Sequence, residues 1–293
     1  ARCCRRTETP HESNVPRRIH PIRTTGDSNV EGVVQPGGQV DGYRIEALLG
    51  RGGEAAVYRA HRAEGTGVVA LKVLDEEHRD RHSTARLARE FRIVEQLTHP
   101  HVVRVYDHGA YWLAMQYVDG GNAAHLPSLE IRLQALAQVA EALDDAHRRG
   151  IVHSDVKPTN ILVHQDFSRG GAVLIDFGAA YVLAEDVWHR PTRVLASLPY
   201  AAPELLQGRL PQAATDEYAL ACTALEVLTG HTPFPADNAT ALIDAHLNSP
   251  PPEISHRIPG YSKAFDLALA RAHDPAARTT TPNSRQIAIG ETG

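Results

Sequence analysis

Cysteine is scarce in this chain, and long apolar runs are missing from it. Only 3 of the 293 residues are cysteine, and two of these are the neighbours Cys3 and Cys4. This excludes a disulfide framework, so we expect a cytoplasmic location. No apolar run approaches the roughly 20 residues that a membrane-spanning helix needs, and no signal peptide follows the charged first residues. A membrane contact is therefore expected only if a segment outside this chain provides an anchor.

An excess of basic residues is also lacking. The formal net charge is -5. Because proteins that bind nucleic acid usually carry a strong basic excess, we do not expect a nucleic-acid partner. The length is sufficient for one large domain or two small ones with a sizeable core.

Apolar periodicity is missing from residues 1–40, which are rich in arginine, proline, glycine, threonine and serine. Such a segment cannot bury enough surface to offset the entropy of ordering, so the sequence predicts a disordered tail. The arginines of this tail could contact acidic partners, but a solvated extension is the favoured interpretation.

Strand patterns dominate the next part of the chain, residues 41–118. The predicted strands are Tyr43–Leu49, Ala55–Ala60, Val68–Leu74, His101–Tyr106 and Trp112–Val118. One helix is predicted between them, at Ser83–Leu97, because Leu87, Phe91, Val94 and Leu97 recur at spacings of three and four residues. This part is therefore expected to be a small, β-rich lobe.

Helical patterns dominate residues 119–293. The predicted helices are Leu129–Arg149, Thr215–Leu228, Ala239–Leu247 and Ser262–Ala272. Short strands are expected on either side of residues 155–160 and just before Asp176. The sequence thus predicts an α+β fold with a small β-rich lobe and a larger helical lobe, and clefts between such units commonly bind ligands.

Glycines separate the first two predicted strands of the small lobe. Gly50, Gly52 and Gly53 would allow backbone N–H groups to approach phosphates. The segment does not open a helix, so it matches neither a dinucleotide fingerprint nor a Walker loop. A simple turn without a ligand is the alternative interpretation.

A lysine, Lys72, stands near the end of an apolar strand. A cation left inside needs an anionic partner, and Glu90 on the predicted helix is the best candidate. An ion pair between the two would direct the ammonium group toward phosphate oxygens. A lysine exposed at the strand end is the alternative.

Two polar clusters follow short apolar stretches in the helical part. The segment 153–160 holds the carboxylate of Asp155, the cation of Lys157 and the amide of Asn160. The second cluster places Asp176 directly before Phe-Gly. Asn160 and Asp176 offer the oxygen ligands that Mg²⁺ prefers.

These four clusters, in this order, resemble the signature set of protein kinases. Later positions also fit: Ala202-Pro203-Glu204 is similar to the element that closes the activation segment, Asp216 to the aspartate that braces the catalytic loop, and Arg278 to the arginine that pairs with Glu204. The amino-acid sequence between the motifs most resembles that of bacterial Hanks-type serine/threonine kinases. The resemblance implies the bilobal protein-kinase fold and the transfer of a phosphoryl group from ATP to protein hydroxyls.

The same resemblance implies which residues bind the nucleotide and its metal ion, Mg²⁺ or Mn²⁺. Gly50, Gly52 and Gly53 would cover the phosphates, and Lys72, held by Glu90, would contact the α- and β-phosphates. Asn160 and Asp176 would hold the metal. The side chains expected around the adenine are Val57, Ala70, Met115, Val118 and Leu162.

The reacting groups are implied in the same way. Asp155 would accept a hydrogen bond from the attacking hydroxyl, and Lys157 would offset charge on the γ-phosphoryl group. A lysine two residues after Asp155 favours serine/threonine over tyrosine specificity, and Ser197 takes the hydroxyl position of the substrate-facing loop. The expected partners are ATP and proteins bearing serine or threonine, with self-association for autophosphorylation.

Two positions depart from the family pattern. Ala55 stands where the third loop glycine is usual, and Ser154 stands where an arginine usually pairs with a loop phosphate. Thr192 is the only serine or threonine between Gly178 and Ser197. We therefore expect activity to depend weakly on loop phosphorylation.

Three alternatives remain open from the sequence. A pseudokinase would bind nucleotide as a scaffold without transferring phosphate, and the two departures motivate that interpretation. A small-molecule kinase on a related fold is the second, which Ala202-Pro203-Glu204 argues against. The third is an interaction module that acts through residues 1–40.

Overall fold

A computed structural model describes residues 34–63, 67–186 and 194–250, together with the single positions 65, 252 and 270. The predicted helix at Ser262–Ala272 lies outside the described residues except for position 270, and Thr192, Arg278 and the tail up to residue 33 lie outside them entirely. The end of the predicted tail is placed too late, because Gln39–Val40 already pairs with Tyr43–Arg44 as a strand.

A six-stranded antiparallel sheet forms the first lobe. Its strands are β1 (Gln39–Val40), β2 (Tyr43–Arg51), β3 (Ala55–Arg62), β4 (Val68–Leu74), β5 (Val105–His108) and β6 (Trp112–Gln116). They lie side by side in the order β1-β2-β3-β4-β6-β5. The β2 and β3 strands are joined by a tight hairpin turn in which the Gly52 N–H donates to the carbonyl of Ala55 at 2.8 Å.

One long helix, α1 (Arg81–Glu95), packs against this sheet. Asp80 caps its first turn by accepting hydrogen bonds from the backbone N–H groups of His82 and Ser83. Its buried positions include Leu87, Glu90 and Val94, which recur at spacings of three and four residues. The apolar stripe predicted for this helix therefore faces the core, with a carboxylate in the middle of it.

The second lobe is mainly helical, and short strands lie on either side of its loops. The remaining elements are α2 (Leu129–Arg148), β7 (Ile151–Val152), β8 (Ile161–Val163), α3 (Phe167–Gly170), β9 (Ala172–Leu174), β10 (Tyr181–Val182), α4 (Pro203–Leu206), α5 (Ala213–Thr229) and α6 (Ala239–Asn248). The α2 and α5 helices pack together, and most residues of α5 are buried. The predicted α+β fold, with a small β-rich lobe and a larger helical lobe, is confirmed.

One predicted strand is wrong. The apolar run His101–Tyr106 does not lie in the sheet as a whole, because β5 begins only at Val105. Val102 and Val103 instead bond to the second lobe: Val102 forms an isolated bridge with Leu174, and the Val103 N–H donates to the Leu174 carbonyl at 2.9 Å. This run joins the two lobes.

Within the described parts of the chain, we find no helix with the length and apolar character needed to cross a bilayer.

Candidate active site

A cavity of about 620 Å³ opens between the two lobes. Its walls come from the β2–β3 hairpin, β4, α1, the segment after β7 and the segment after β9. The predicted site residues that line it are Gly50, Gly52, Gly53, Val57, Lys72, Glu90, Asp155, Lys157, Asn160 and Asp176. Four others, Ala70, Met115, Val118 and Leu162, do not line this cavity.

Those four residues and Val57 share one hydrophobic cluster. Ala70, Met115 and Val118 are buried members, and Val57 and Leu162 pack against it. Ala70 lies opposite Met115 across β4 and β6, whereas Leu162 comes from β8 in the other lobe. The apolar residues expected around a base are thus contributed by both lobes.

The glycines of the hairpin are not required by any contact with the part of the chain that the structure describes. A Cβ atom added at Gly50 or Gly53 would meet no atom within 4 Å, and at Gly52 it would come no closer than 3.6 Å to the Ala55 carbonyl. None of the three has a positive φ. Neither packing against the described residues nor backbone conformation requires glycine there, so the hairpin backbone is left open to the cavity.

Lys72 joins the two lobes electrostatically. Its Nζ lies 2.9 and 3.1 Å from the two carboxylate oxygens of Glu90 and 3.0 Å from Oδ1 of Asp176. The predicted pair between Lys72 and Glu90 is therefore formed, and Asp176 joins it from a position 104 residues further along the chain.

The charges in this group shift one another's pKa values. The Lys72 ammonium lowers the pKa of Asp176 to about 2, against a smaller opposing effect of burial. Burial lowers the pKa of Lys72, but the charges of Glu90 and Asp176 outweigh it and raise the pKa overall. Asp176 is thus an anion and Lys72 a cation at neutral pH, as a site for a metal and phosphates requires.

Asp155 is held on both carboxylate oxygens. Oδ1 accepts from the Ser197 hydroxyl at 2.5 Å, and Oδ2 accepts from Lys157 Nζ at 2.7 Å and Asn160 Nδ2 at 3.1 Å. Lys157 Nζ is also 3.0 Å from the Ser197 hydroxyl oxygen, which closes a triangle. These contacts fix the orientation of the carboxylate before any substrate arrives.

Asp216 of α5 supports the backbone of the segment that carries Asp155. This fully buried carboxylate accepts hydrogen bonds from the backbone N–H groups of His153 and Ser154, at 2.8 and 2.7 Å. Ser154 has a positive φ of 66°, a conformation that a non-glycine residue adopts only when its surroundings impose it. Asp216 therefore helps to hold a strained loop in place.

The donor atoms for a metal ion fit the hard, oxygen-rich set that Mg²⁺ takes. The amide nitrogen of Asn160 donates hydrogen bonds to Asp155. The amide oxygen of Asn160 accepts no hydrogen bond from the described residues. Oδ1 of Asp176 accepts hydrogen bonds from Lys72 and from the Gly178 N–H. Its Oδ2 accepts none from the described residues. Both residues line the cavity.

Several supporting residues were not predicted from the sequence. His147 on α2 lies 2.7 Å from the Asp216 carboxylate, and Arg89 on α1 contacts the segment after Gly178. The contacts join residues 69 or more positions apart, and no local motif marks them. One signal for Arg89 was available in the sequence, because this cation stands beside Glu90, the predicted partner of Lys72.

The protein kinase domain family matches residues 43–270 of this chain. The chain belongs to the protein kinase family. Its resemblance to bacterial Hanks-type serine/threonine kinases is confirmed by its relatives.

Two serine/threonine-protein kinases of Mycobacterium tuberculosis are similar to this kinase domain. PknJ is 40% identical over 227 residues, which are 72% of this chain and 38% of PknJ. PknF is 37% identical over 221 residues, which are 69% of this chain and 46% of PknF. The chain thus spans less than half the length of these relatives.

A solved structure shows the same architecture. The crystal structure of the PknI kinase domain of M. tuberculosis superposes with a TM-score of 0.64 at 30% identity and covers 88% of this chain and 98% of that one. Membership of the family implies that the kinase domain uses ATP and a divalent metal ion.

Proposed function

We propose that this kinase domain is an ATP-dependent serine/threonine protein kinase of bacterial signalling. The observation that carries the proposal is the shared cavity lined by Lys72, Asp155 and Asp176, where the chain places a cation, a fixed carboxylate and a metal-type ligand together. Its relatives PknJ and PknF, both named as serine/threonine-protein kinases, support the same reaction.

Asp155 would accept a hydrogen bond from the substrate hydroxyl and take its proton. The hydroxyl oxygen then forms a new bond to the γ-phosphorus, while the bond from that phosphorus to the bridging oxygen breaks and leaves ADP. Lys157, 2.7 Å from Asp155, is placed to offset charge on the group in transfer. Positioning and charge stabilisation, rather than covalent work by the protein, supply the rate.

The phosphates of ATP would be bound from two sides. Lys72, oriented by Glu90, would contact the α- and β-phosphates, and the backbone at Gly50, Gly52 and Gly53 would cover them. The unshielded backbone of the hairpin supports this assignment. The adenine would lie among the apolar residues Val57, Ala70, Met115, Val118 and Leu162.

Asn160 and Asp176 would hold Mg²⁺, or Mn²⁺ in its place. The bound metal supplies positive charge that neutralises the phosphates. The amide oxygen of Asn160 and Oδ2 of Asp176, which accept no hydrogen bond from the described residues, support this pair as the protein's ligands.

We assign residues 41–118, together with β1 (Gln39–Val40), to the first lobe and 119–293 to the second, and we expect the domain to lie in the cytoplasm. Proteins bearing serine or threonine would be its substrates, and self-association would permit autophosphorylation. Neither the arrangement of the site nor the relatives favours the pseudokinase alternative.

Transfer of labelled phosphate from ATP to a generic basic protein tests the proposal. We expect transfer by the wild-type chain and a loss of at least about 100-fold in Asp155→Asn, which keeps the shape of the side chain but removes the proton acceptor. Asp237→Asn, a change at an exposed aspartate far along the chain, serves as the control and should transfer at the wild-type rate. Equal transfer by wild type and Asp155→Asn would reject the assigned mechanism.

A further inference from the structure

Arg89 connects α1 to the segment that follows Gly178. Its Nη1 donates to the carbonyl oxygen of Ala180 at 2.6 Å, and its Nη2 donates to Oδ2 of Asp186. Arg89 directly precedes Glu90, so one turn of α1 carries both the residue that holds Lys72 and the residue that reaches the other lobe. The position of Glu90 is thereby coupled to a second contact.

The acceptor side of this contact is itself well fixed. Asp186 is largely buried, its Oδ2 also accepts from the Val182 N–H at 2.7 Å, and its carbonyl accepts from the Tyr181 hydroxyl at 2.5 Å. Tyr181 and Val182 form β10, which pairs with β7, the strand leading to the loop of Asp155. Arg89 therefore binds to a part of the second lobe that is already joined to the catalytic segment.

Ser154 carries no cation, and its backbone and hydroxyl contact only Asp216 and the Val152 carbonyl among the hydrogen bonds that the structure describes. A loop phosphate would find no partner at this position. Nevertheless Lys72, Glu90 and Asp176 are assembled. Arg89 supplies two charge-assisted hydrogen bonds that need no modification of the chain.

We propose that Arg89 is a positioning residue for phosphoryl transfer. Its planar guanidinium, bound to Ala180 and Asp186, holds α1 at the position in which Glu90 meets Lys72, and so takes over the task that a phosphorylated loop would perform. The inference rests on the proposed function. A lysine could not replace it fully, because an ammonium on a flexible stem lacks the rigid fork that satisfies two acceptors at once.

Four variants test the role: Arg89→Gln, Arg89→Lys, Asp186→Asn and the double variant Arg89→Gln/Asp186→Asn. Arg92→Gln is the matched control, because Arg92 lies on the same helix, is exposed and forms no ion pair within the described residues. We expect kcat to fall about 10-fold in Arg89→Gln, as for the loss of one to two hydrogen bonds to a charged group, with the KM for the protein substrate unchanged within about twofold. Arg89→Lys should be intermediate, and Arg92→Gln should match the wild type.

The double variant distinguishes a positioning role of the contact between Arg89 and Asp186 from independent effects of the two substitutions on the fold. If both residues act through one contact, its kcat should fall no more than about twofold below that of Arg89→Gln. The proposal would be overturned if the double variant lost kcat by the product of the two single losses. It would also be overturned by a wild-type kcat in Arg89→Gln, or by an equal loss of kcat in Arg92→Gln.

Hydrogen exchange of the α1 amides provides a readout that needs no activity. Exchange of the α1 amides should be faster in Arg89→Gln than in Arg92→Gln, while the amides of α5 should exchange alike in the two, and equal α1 exchange in both would contradict the role of Arg89. A wild-type chain that transfers no phosphate would reject the proposed function instead, and the exchange comparison would still decide whether Arg89 positions α1.

Discussion

Ser197 and Asp155 are joined by a hydrogen bond of 2.5 Å across 42 residues of sequence. The hydroxyl of Ser197 also lies 3.0 Å from Lys157 Nζ, so a single side chain orients both groups assigned to the chemistry. Every oxygen of the Asp155 carboxylate already accepts a hydrogen bond, and a substrate hydroxyl must share one of them. Each carboxylate oxygen can accept more than one such bond.

Replacing Ser197 tests whether that orientation matters. Ser197→Ala should lower kcat about 10-fold, because a hydrogen bond to a charged group is lost and Asp155 gains freedom to turn. Ser197→Thr keeps the hydroxyl and should retain most of the activity. Steady-state phosphoryl transfer to a protein substrate measures both, and equal rates in Ser197→Ala and the wild type would contradict the assigned role.

Glycine substitutions separate ligand binding from stability. Gly50→Ala places its methyl group in open space, so the melting temperature should stay within about 2 °C of wild type while ATP binding weakens severalfold. Gly208→Ala is the converse control: its φ of +70° is strained for alanine, so it should lower the free energy of unfolding by about 1 kcal/mol and leave ATP binding unchanged.

Thermal unfolding and titration with ATP measure the two effects. If Gly50→Ala unfolded at a clearly lower temperature, the glycine would have a structural role that the open space around it does not explain. If it bound ATP as the wild type does, the hairpin would not approach the phosphates.

The pair of His147 and Asp216 predicts a pH-dependent stability. Burial lowers the pKa of His147, but its hydrogen bond to Asp216 and the charge of that carboxylate outweigh burial, so the pKa is raised above its ordinary value. The stabilisation is therefore fully present below a pH of about 6.5 and is lost as the pH rises through the raised pKa.

His147→Gln should accordingly lower the free energy of unfolding most at acidic pH. We expect a loss of at least about 1 kcal/mol at pH 6 and a much smaller one at pH 9, because the neutral ring forms only an ordinary hydrogen bond. His125→Gln, at an exposed histidine, is the control and should show no change with pH. Urea unfolding at both pH values measures this, and a loss that grows with pH would refute the sign.

The sequence predicted which residues meet in the cavity, but it did not predict the contacts that support them. Lys72, Asp155, Asn160 and Asp176 stand out because their residue types follow apolar strands in a recognisable order. The predicted strand Val68–Leu74 agrees with the structure to the residue, since its apolar run lies between Gly67 and Asp75. The signals that worked were local in sequence.

Tertiary contacts account for what the sequence did not reveal. Val102 and Val103 have a strand-like pattern, but they pair with Leu174 of the second lobe instead of joining the sheet. Likewise Arg89 and Asp186 are 97 residues apart and form their contact only because two lobes meet. Neither pairing leaves a periodicity or a motif in the chain.

Loop phosphorylation should matter little to this kinase domain. Ser154 offers no cation for a phosphate, and Thr192 was the single serine or threonine found between Gly178 and Ser197. Thr192→Ala should therefore transfer phosphate within about twofold of the wild-type rate, since one charge-assisted contact is already missing. A collapse of the rate, measured on chain pretreated with a phosphatase and on untreated chain, would refute this expectation.

Phosphosite mapping by mass spectrometry after incubation with ATP and Mg²⁺ tests the central claim most directly. Wild-type chain should acquire phosphate on serine or threonine, and Asp155→Asn, which keeps the nucleotide-binding residues, should bind ATP and acquire none. Wild-type chain that binds ATP yet stays free of phosphate, or that carries phosphate on tyrosine alone, would contradict the account.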